Sequence, residues 1–300
     1  MRKTARRLSP GTRDDLAGGA SLAALSPFFS SPSAARRFVE LAVLPHLSGL
    51  RAADGLIACV DVGGGEGILA AALAEAAAEA GIPCEIIVVD QNALFLQTAA
   101  RRGLRTLEGG PSDLPESYAD LALMRFVNHY DSASAQVALA RDLAGLVRPG
   151  GLLAAQIQTA TAEICAVFDT IAALLSGDPL GVGRHWPTLP EFLAQFEAVG
   201  FETVTIIGGD VEDQAPASGL VMDAWSRVHG IALRAALTQG DVATTANMLA
   251  ERERFAQGAH EALQRGGAPD QIATTQPITV MRRSSETRTT GDLRRGGSQP

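Results

Sequence analysis

Val60-Asp61-Val62-Gly63-Gly64-Gly65-Glu66-Gly67 decides how the rest of this chain is read. A short apolar run, Leu56 to Val62, ends in a turn that carries four glycines. An alanine-rich segment, Ile68 to Ala80, follows with strong helix propensity. Buried strand, glycine turn and helix in that order bring backbone N–H groups and a helix N-terminus against a bound ligand.

Outward from this unit, the same alternation repeats. Glu85 to Asp90 reads as a second buried strand ending in an acid, and Ala93 to Arg102 as a helix stopped at Gly103. Leu104 to Glu108 is a weak third strand leading into the loop Gly109 to Pro115. Ala119 to Arg125 is a fourth strand. Residues 132–147 form a helix, broken by Arg148-Pro149-Gly150-Gly151 before a fifth strand, Leu152 to Ile157. Thr161 to Leu175 reads as a helix, and Thr188-Leu189-Pro190-Glu191 as a capping box opening another that ends at Gly200. Phe201 to Ile207 and Ile278 to Met281 are strand-like. Between them, Leu220 to Leu237 and Asp241 to Leu263 read as helices, a long insertion for neighbouring strands. The expected fold is α/β: a doubly wound, mostly parallel seven-stranded sheet with a helical insertion before its last strand.

Residues 1–30 and 284–300, rich in Arg, Gly and Ser, are expected to lack fixed structure. The domain proper then spans 31–283, with an N-terminal helix at 33–48 and the insertion at 215–265. Ser33 is the expected cap of that first helix, with Phe38, Leu41, Leu44 and Leu47 as its apolar face.

Composition narrows the function. The net charge of −8 argues against a nucleic-acid partner. No apolar stretch approaches the ~20 residues of a membrane span. No apolar signal core follows the basic start, so the expected location is the cytoplasm. The three cysteines, Cys59, Cys84 and Cys165, lack metal-ligand spacing, and no metal is expected. Apolar positions in 215–265, Trp225 and Ile231 among them, suggest a homodimer surface or a cover for a substrate.

The glycine spacing separates two ligand classes. A dinucleotide fingerprint, G-x-G-x-x-G, would need glycine where Ile68 stands. The actual pattern is Asp61, one residue, then Gly63-x-Gly65-x-Gly67. Here the chain resembles the class I S-adenosylmethionine-dependent methyltransferases. Asp90 stands where that family carries its ribose-binding acid, with Gln91 beside it. The loop Gly109 to Pro115 resembles the adenine-contacting loop, although Gly110 replaces the acid common there; Ser112 or Asp113 would supply the polar contact. Asp120 to Tyr130 resembles the fourth motif and places Arg125, Asn128 and His129 at the carboxyl edge of the sheet. Arg148-Pro149-Gly150-Gly151 and the pairing of Leu189 to Phe192 with Ala198 to Phe201 are further family features. The resemblance spans about residues 55–210 with a last strand near 278–282.

It implies S-adenosyl-L-methionine as cofactor, held by Asp61, Gly63, Gly65, Gly67, Asp90, Gln91, Ser112, Asp113 and Arg125. It also implies transfer of a methyl group to a small molecule, with an oxygen nucleophile expected. A hydroxyl acceptor would use a general base, and His129 and His185 are the candidates. Alternatively, His129 touches the cofactor and His185 caps a helix or faces solvent. Tyr130 and Trp186 would wall a planar acceptor or simply pack. Two other readings remain open: a non-catalytic S-adenosylmethionine-binding protein of the same fold, and a nicotinamide-dependent oxidoreductase.

Overall fold

The computed structural model describes residues 32–50, 55–128, 131–159, 185–208, 213–216, 233, 236, 239–265, 271–274 and 276–285. The chain enters through α1 (Pro32–Phe38), a π-helical turn (Val39–Val43) and α2 (Leu44–Leu47). The alternating unit follows: β1 (Ile57–Val62), α3 (Ile68–Glu79), β2 (Cys84–Asp90), α4 (Ala93–Arg101), β3 (Arg105–Glu108), β4 (Ala119–Arg125), α5 (Ala133–Leu146) and β5 (Val147–Gln156). Then come α6 (Leu189–Glu197), β6 (Phe201–Ile207), β7 (Asp213–Pro216), α7 (Val242–Arg265), β8 (Gln271–Thr274) and β9 (Ile278–Arg283).

Seven strands form one sheet in the order β3-β2-β1-β4-β5-β9-β6. The pairs among β1 to β5 are parallel, while β9 runs antiparallel between β5 and β6. This is the expected fold class. The topology places the functional edge. From β1 the chain winds outward to β3, then returns to lay β4 against the other side of β1. At such a switch point the crossing connections leave in opposite directions and open a crevice at the carboxyl ends of the strands.

The strands are apolar throughout because both faces are covered. Cys59, Ile86, Val88, Leu121, Leu123 and Val280 pack on one side with α1 and α3. Val60, Val62, Val89, Met124, Leu153 and Met281 pack on the other with Leu139, Leu143, Phe192 and Phe196 of α5 and α6. Alanines suit α3: Ala70, Ala72, Ala76 and Ala77 are buried, and small side chains let the helix lie close. The expected capping box is present on α6. Thr188 Oγ1 accepts from Glu191 N at 3.3 Å, and Thr188 N donates to Glu191 Oε2 at 2.8 Å.

The structure corrects two local expectations. The first helix starts at Pro32, whose fixed φ and missing N–H suit a first position, so Ser33 lies inside the first turn and is not the cap. The π turn then adds a residue to the helical period and rotates the buried face. Val39, Ala42 and Val43 point inward, whereas Leu41 is 40% exposed and Leu44 only partly buried. Arg148 to Gly151 also do not precede the fifth strand. They lie within β5, opposite a register shift between Ala119 and Leu121, with Gly150 at φ +81°. A glycine in that conformation lets a strand bulge without ending it.

The insertion holds α7, capped by Asp241, whose Oδ1 accepts from Thr244 N at 3.0 Å. Flanking it, β7 and β8 form a two-stranded antiparallel pair that the sequence pattern did not suggest. Residues 1–30, the helix expected at Thr161 to Leu175 and most of Leu220 to Leu237 lie outside the described residues.

Candidate functional site

The turn after β1 has the backbone its spacing requires. Gly63, Gly65 and Gly67 have φ of +65°, +55° and +75°, conformations that side-chain-bearing residues rarely adopt. Close approach demands glycine as well. A Cβ at Gly63 would lie 2.6 Å from Val127 Cγ2, and one at Gly67 2.5 Å from Leu104 Cδ1. Gly64, whose φ is ordinary, is equally constrained: a Cβ there would sit 2.6 Å from the Asp61 carboxyl and 2.9 Å from Val88 Cγ1. The expectation for this turn named three glycines; sterically it needs all four.

Two carboxylates hold the turn. Asp61 is 1% exposed, and its Oδ2 accepts from Ala70 N at 3.1 Å, in the first turn of α3. Burial, with the Asp90 charge nearby, pushes the Asp61 carboxyl up to about 7; the Ala70 N–H and Arg125 oppose the shift. Asp90 closes β2. Its Oδ2 accepts from Gly65 N at 2.9 Å and its Oδ1 from Asn92 N at 2.8 Å. Burial raises its pKa against those backbone donors. A carboxylate has about four acceptor positions, so Asp90 keeps acceptor capacity beyond its backbone donors. Gln91, next in the chain, is exposed.

Beyond β3, Gly109 N donates to Asp90 O at 2.9 Å and ties the following loop to the same edge. Asp113 Oδ2 accepts from Gly110 N at 2.8 Å and closes its own tight turn, while Ser112 is exposed beside it.

The exit of β4 forms the other half of the edge. Arg125 Nε donates to Gln156 Oε1 at 2.7 Å, and its guanidinium lies 4.6 Å from the Phe126 ring centre. Phe126 is buried with φ +56°, a strained conformation for a non-glycine residue of the kind that concentrates at functional sites. Gln136, on the first turn of α5, is the fastener. Its Nε2 donates to the carbonyls of Asn128, Asp131 and His185 at 2.9, 3.2 and 2.6 Å. His185 N in turn donates to Asp131 O at 3.0 Å. His185, distant in sequence, is therefore fixed beside the β4 exit, with its ring Nε2 3.9 Å from Glu191 Oε2. His129 and Tyr130 lie outside the described residues.

Residues 60–155 match a family model described as a methyltransferase domain. The fold is that of the class I S-adenosylmethionine-dependent methyltransferases. Solved structures of this methyltransferase fold cover most of the chain at low identity. The YcgJ protein from Bacillus subtilis is 16% identical, covering 81% of this chain and 97% of its own, with a TM-score of 0.51. The cyclopropane synthase MmaA2 from Mycobacterium tuberculosis is 12% identical, covering 93% and 100%, at 0.50. The [4+2]-cyclase SpnF is 14% identical, covering 85% and 82%, also at 0.50. No curated protein sequence matches the chain. Among the described residues, no cluster has the makings of a metal site, and no helix is long and apolar enough to cross a membrane.

The residues the sequence reading left out are Gly64, Phe126, Gln136, Gln156 and Gln158. One signal could have found the last two: Gln156-Ile157-Gln158 ends a strand that is otherwise apolar, and a polar residue in a doubly covered strand needs a reason.

Proposed function

We propose that this chain is a methyltransferase that binds S-adenosyl-L-methionine across the carboxyl ends of β1 and β2 and methylates a small-molecule acceptor at oxygen. The observation that carries the reading is the Gly63-x-Gly65-x-Gly67 turn, with all three residues at positive φ and the Gly65 N–H resting on the Asp90 carboxylate. That arrangement fits the cofactor. Asp90 takes the two ribose hydroxyls, the bare glycine backbone admits the methionine end, and Ser112, Asp113 and Gln91 lie along the adenine side. Asp61 acts through the turn, since its carboxyl is engaged by α3. Arg125 contributes at the β4 end.

S-adenosylmethionine supplies a methyl group already activated on a sulfonium. The protein's work is then to align the acceptor oxygen, exclude water and take up a proton. Positioning of that kind provides much of the acceleration. His185 is the described candidate for the base, because the Gln136 clamp holds its backbone at the β4 exit. His129 directly follows Asn128 and is the second candidate. The acidic chain favours a small acceptor over a nucleic acid. We place the protein in the cytoplasm and assign residues 31–283 to one methyltransferase domain, with the 215–265 insertion as acceptor cover or dimer surface.

Ile68, where a dinucleotide site would have glycine, opens α3 and packs against the core. Close helix contact is provided by Gly67 instead, which weighs against a nicotinamide cofactor. A second reading is cofactor binding without methyl transfer: the [4+2]-cyclase SpnF shares this fold, so the fold alone does not fix methyl transfer. Incubation with S-adenosylmethionine and a panel of phenols, alcohols and carboxylic acids separates them. Release of S-adenosylhomocysteine dependent on an acceptor supports transfer; tight binding with no release on any acceptor supports the alternative.

A further inference from the structure

Amide side chains gather at the carboxyl edge on the β4–β5 side, and several of their polar atoms have nothing to bond. Asn128 follows β4 and is 2% exposed, yet neither its Nδ2 nor its Oδ1 has a hydrogen-bond partner. Gln158 follows β5, is 1% exposed and leaves its Oε1 unpaired. Gln136 Oε1 and Gln276 Nε2 are likewise buried and unpaired. The topology brings them together. Arg125 and Gln156 are register partners in β4 and β5, and Phe126 N donates to Gln156 O at 2.9 Å, so Asn128 and Gln158 continue adjacent strands. Gln136 Nε2 reaches the Asn128 carbonyl, and Gln156 Nε2 reaches Gln276 O.

An unpaired buried polar atom costs about 1–3 kcal/mol, and native proteins keep few. A cluster at one strand edge is poor design for folding alone, where leucine or methionine would pack as well. It is sensible where a ligand supplies the missing partners. The chemistry of the cluster also selects that ligand. An amide presents a donor and an acceptor side by side and carries no charge. An anionic acceptor would set its charge against the oxygens of Asn128, Gln136 and Gln158. Arg125, the cation at this edge among the described residues, is engaged by Gln156 and by the Phe126 ring.

We propose that Asn128 and Gln158 form the recognition floor of the acceptor pocket, and that the acceptor is an uncharged molecule whose polar group both donates and accepts, a hydroxyl or an amide. This rests on the methyl-transfer reading above and narrows it. The carboxylates Asp61 and Asp90 serve the donor half of the edge, and the amides serve the other half.

The test uses the full-length protein, with Asn128→Leu and Gln158→Leu, and three probes: benzyl alcohol, benzamide and benzoate. Ligand-observed NMR in the presence of saturating S-adenosylhomocysteine reads probe binding, calorimetry reads S-adenosylhomocysteine affinity, and thermal unfolding reads stability of the free protein. Benzyl alcohol and benzamide should bind the wild type and benzoate should not. Each leucine variant should weaken the two neutral probes by about tenfold, the loss expected for one buried hydrogen bond. Its S-adenosylhomocysteine affinity should stay within about twofold, and its unfolding temperature should match or exceed the wild type, because an unpaired polar group has been removed. Benzoate binding as well as benzamide, absence of binding by both neutral probes, or a lowered unfolding temperature in both variants would overturn the proposal. Loss of S-adenosylhomocysteine affinity in Asn128→Leu would move that residue to the donor half, with the same consequence. If the wild type fails to bind S-adenosylhomocysteine, the methyl-transfer reading itself fails, and the probes titrated onto the free protein still decide the amide site.

Discussion

The two halves of the carboxyl edge are built on opposite terms. On the β1–β2 side the polar groups of the glycine turn are paired within the protein: Gly63 N and Gly64 N on Val89 O, Gly65 N on Asp90, Ala70 N on Asp61. On the β4–β5 side, the buried Asn128, Gln136 and Gln158 and the partly buried Gln276 retain unpaired side-chain atoms. The first half is tied together by its own hydrogen bonds, as a site for one invariant molecule should be. The second carries unmet hydrogen-bonding capacity, as a site completed by its ligand would. The difference teaches where the fold is general and where this chain is specialised.

The largest way to break the contrast is to close the rigid half. Gly64→Ala places a Cβ against Asp61 and Val88, both buried, so neither neighbour yields easily. It should destabilise the protein by about 3 kcal/mol and weaken S-adenosylmethionine binding, measured by urea unfolding and calorimetry. Gly110→Ala is the control: nothing lies within 4 Å of its Cβ, and stability should change little.

Gln136→Leu comes next. Removing the side-chain NH2, whose two N–H bonds serve three carbonyls, should cost about 2 kcal/mol and free the His185 segment from the β4 exit. Faster backbone amide exchange at His185, with an unchanged glycine turn, would sharpen the division between the halves; faster exchange across both would break it.

The donor half should also show itself in pH. The Asp61 carboxyl is raised to about 7 when folded, against an ordinary value near 3.8. Between about pH 4 and 7 the folded state therefore keeps a proton that the unfolded chain has released. The stabilising contribution is complete below pH 4, falls as pH rises through 7 and then levels off, with a slope of up to about 1.4 kcal/mol per pH unit. Asp61→Asn retains an acceptor for Ala70 N and should flatten this dependence in unfolding experiments across that range. An unaltered slope would show that Asp61 does not carry it. The smallest effect belongs far from either half: Leu41→Ser, on the outward side of the π turn, should change stability by less than about 0.5 kcal/mol.

What was readable in the sequence was local. Most strand runs, the glycine spacing, the acid at the end of β2 and the Thr188–Glu191 box depend on residues a few positions apart and took their expected form, the start of β5 excepted. What escaped depends on distant partners. The π turn that exposes Leu41 follows from packing on α3 and the sheet, and the β5 bulge from register with β4. Gln136 looked like an ordinary helix position until the fold brought the His185 carbonyl to it. The unpaired state of Asn128 is a property of its surroundings, which no single segment encodes. The proposed donor site draws on one turn and one acid, which a sequence displays directly; the proposed acceptor site draws on four separate stretches.

The central claim is that the glycine turn and Asp90 together hold S-adenosylmethionine by its ribose. Calorimetric titration of S-adenosylmethionine into the wild type and Asp90→Ala tests it most directly. The account predicts one site per chain and an affinity loss of at least about 1.5 kcal/mol, roughly tenfold, in the variant. Equal affinity in the two proteins, or binding of NAD in place of S-adenosylmethionine, would contradict it.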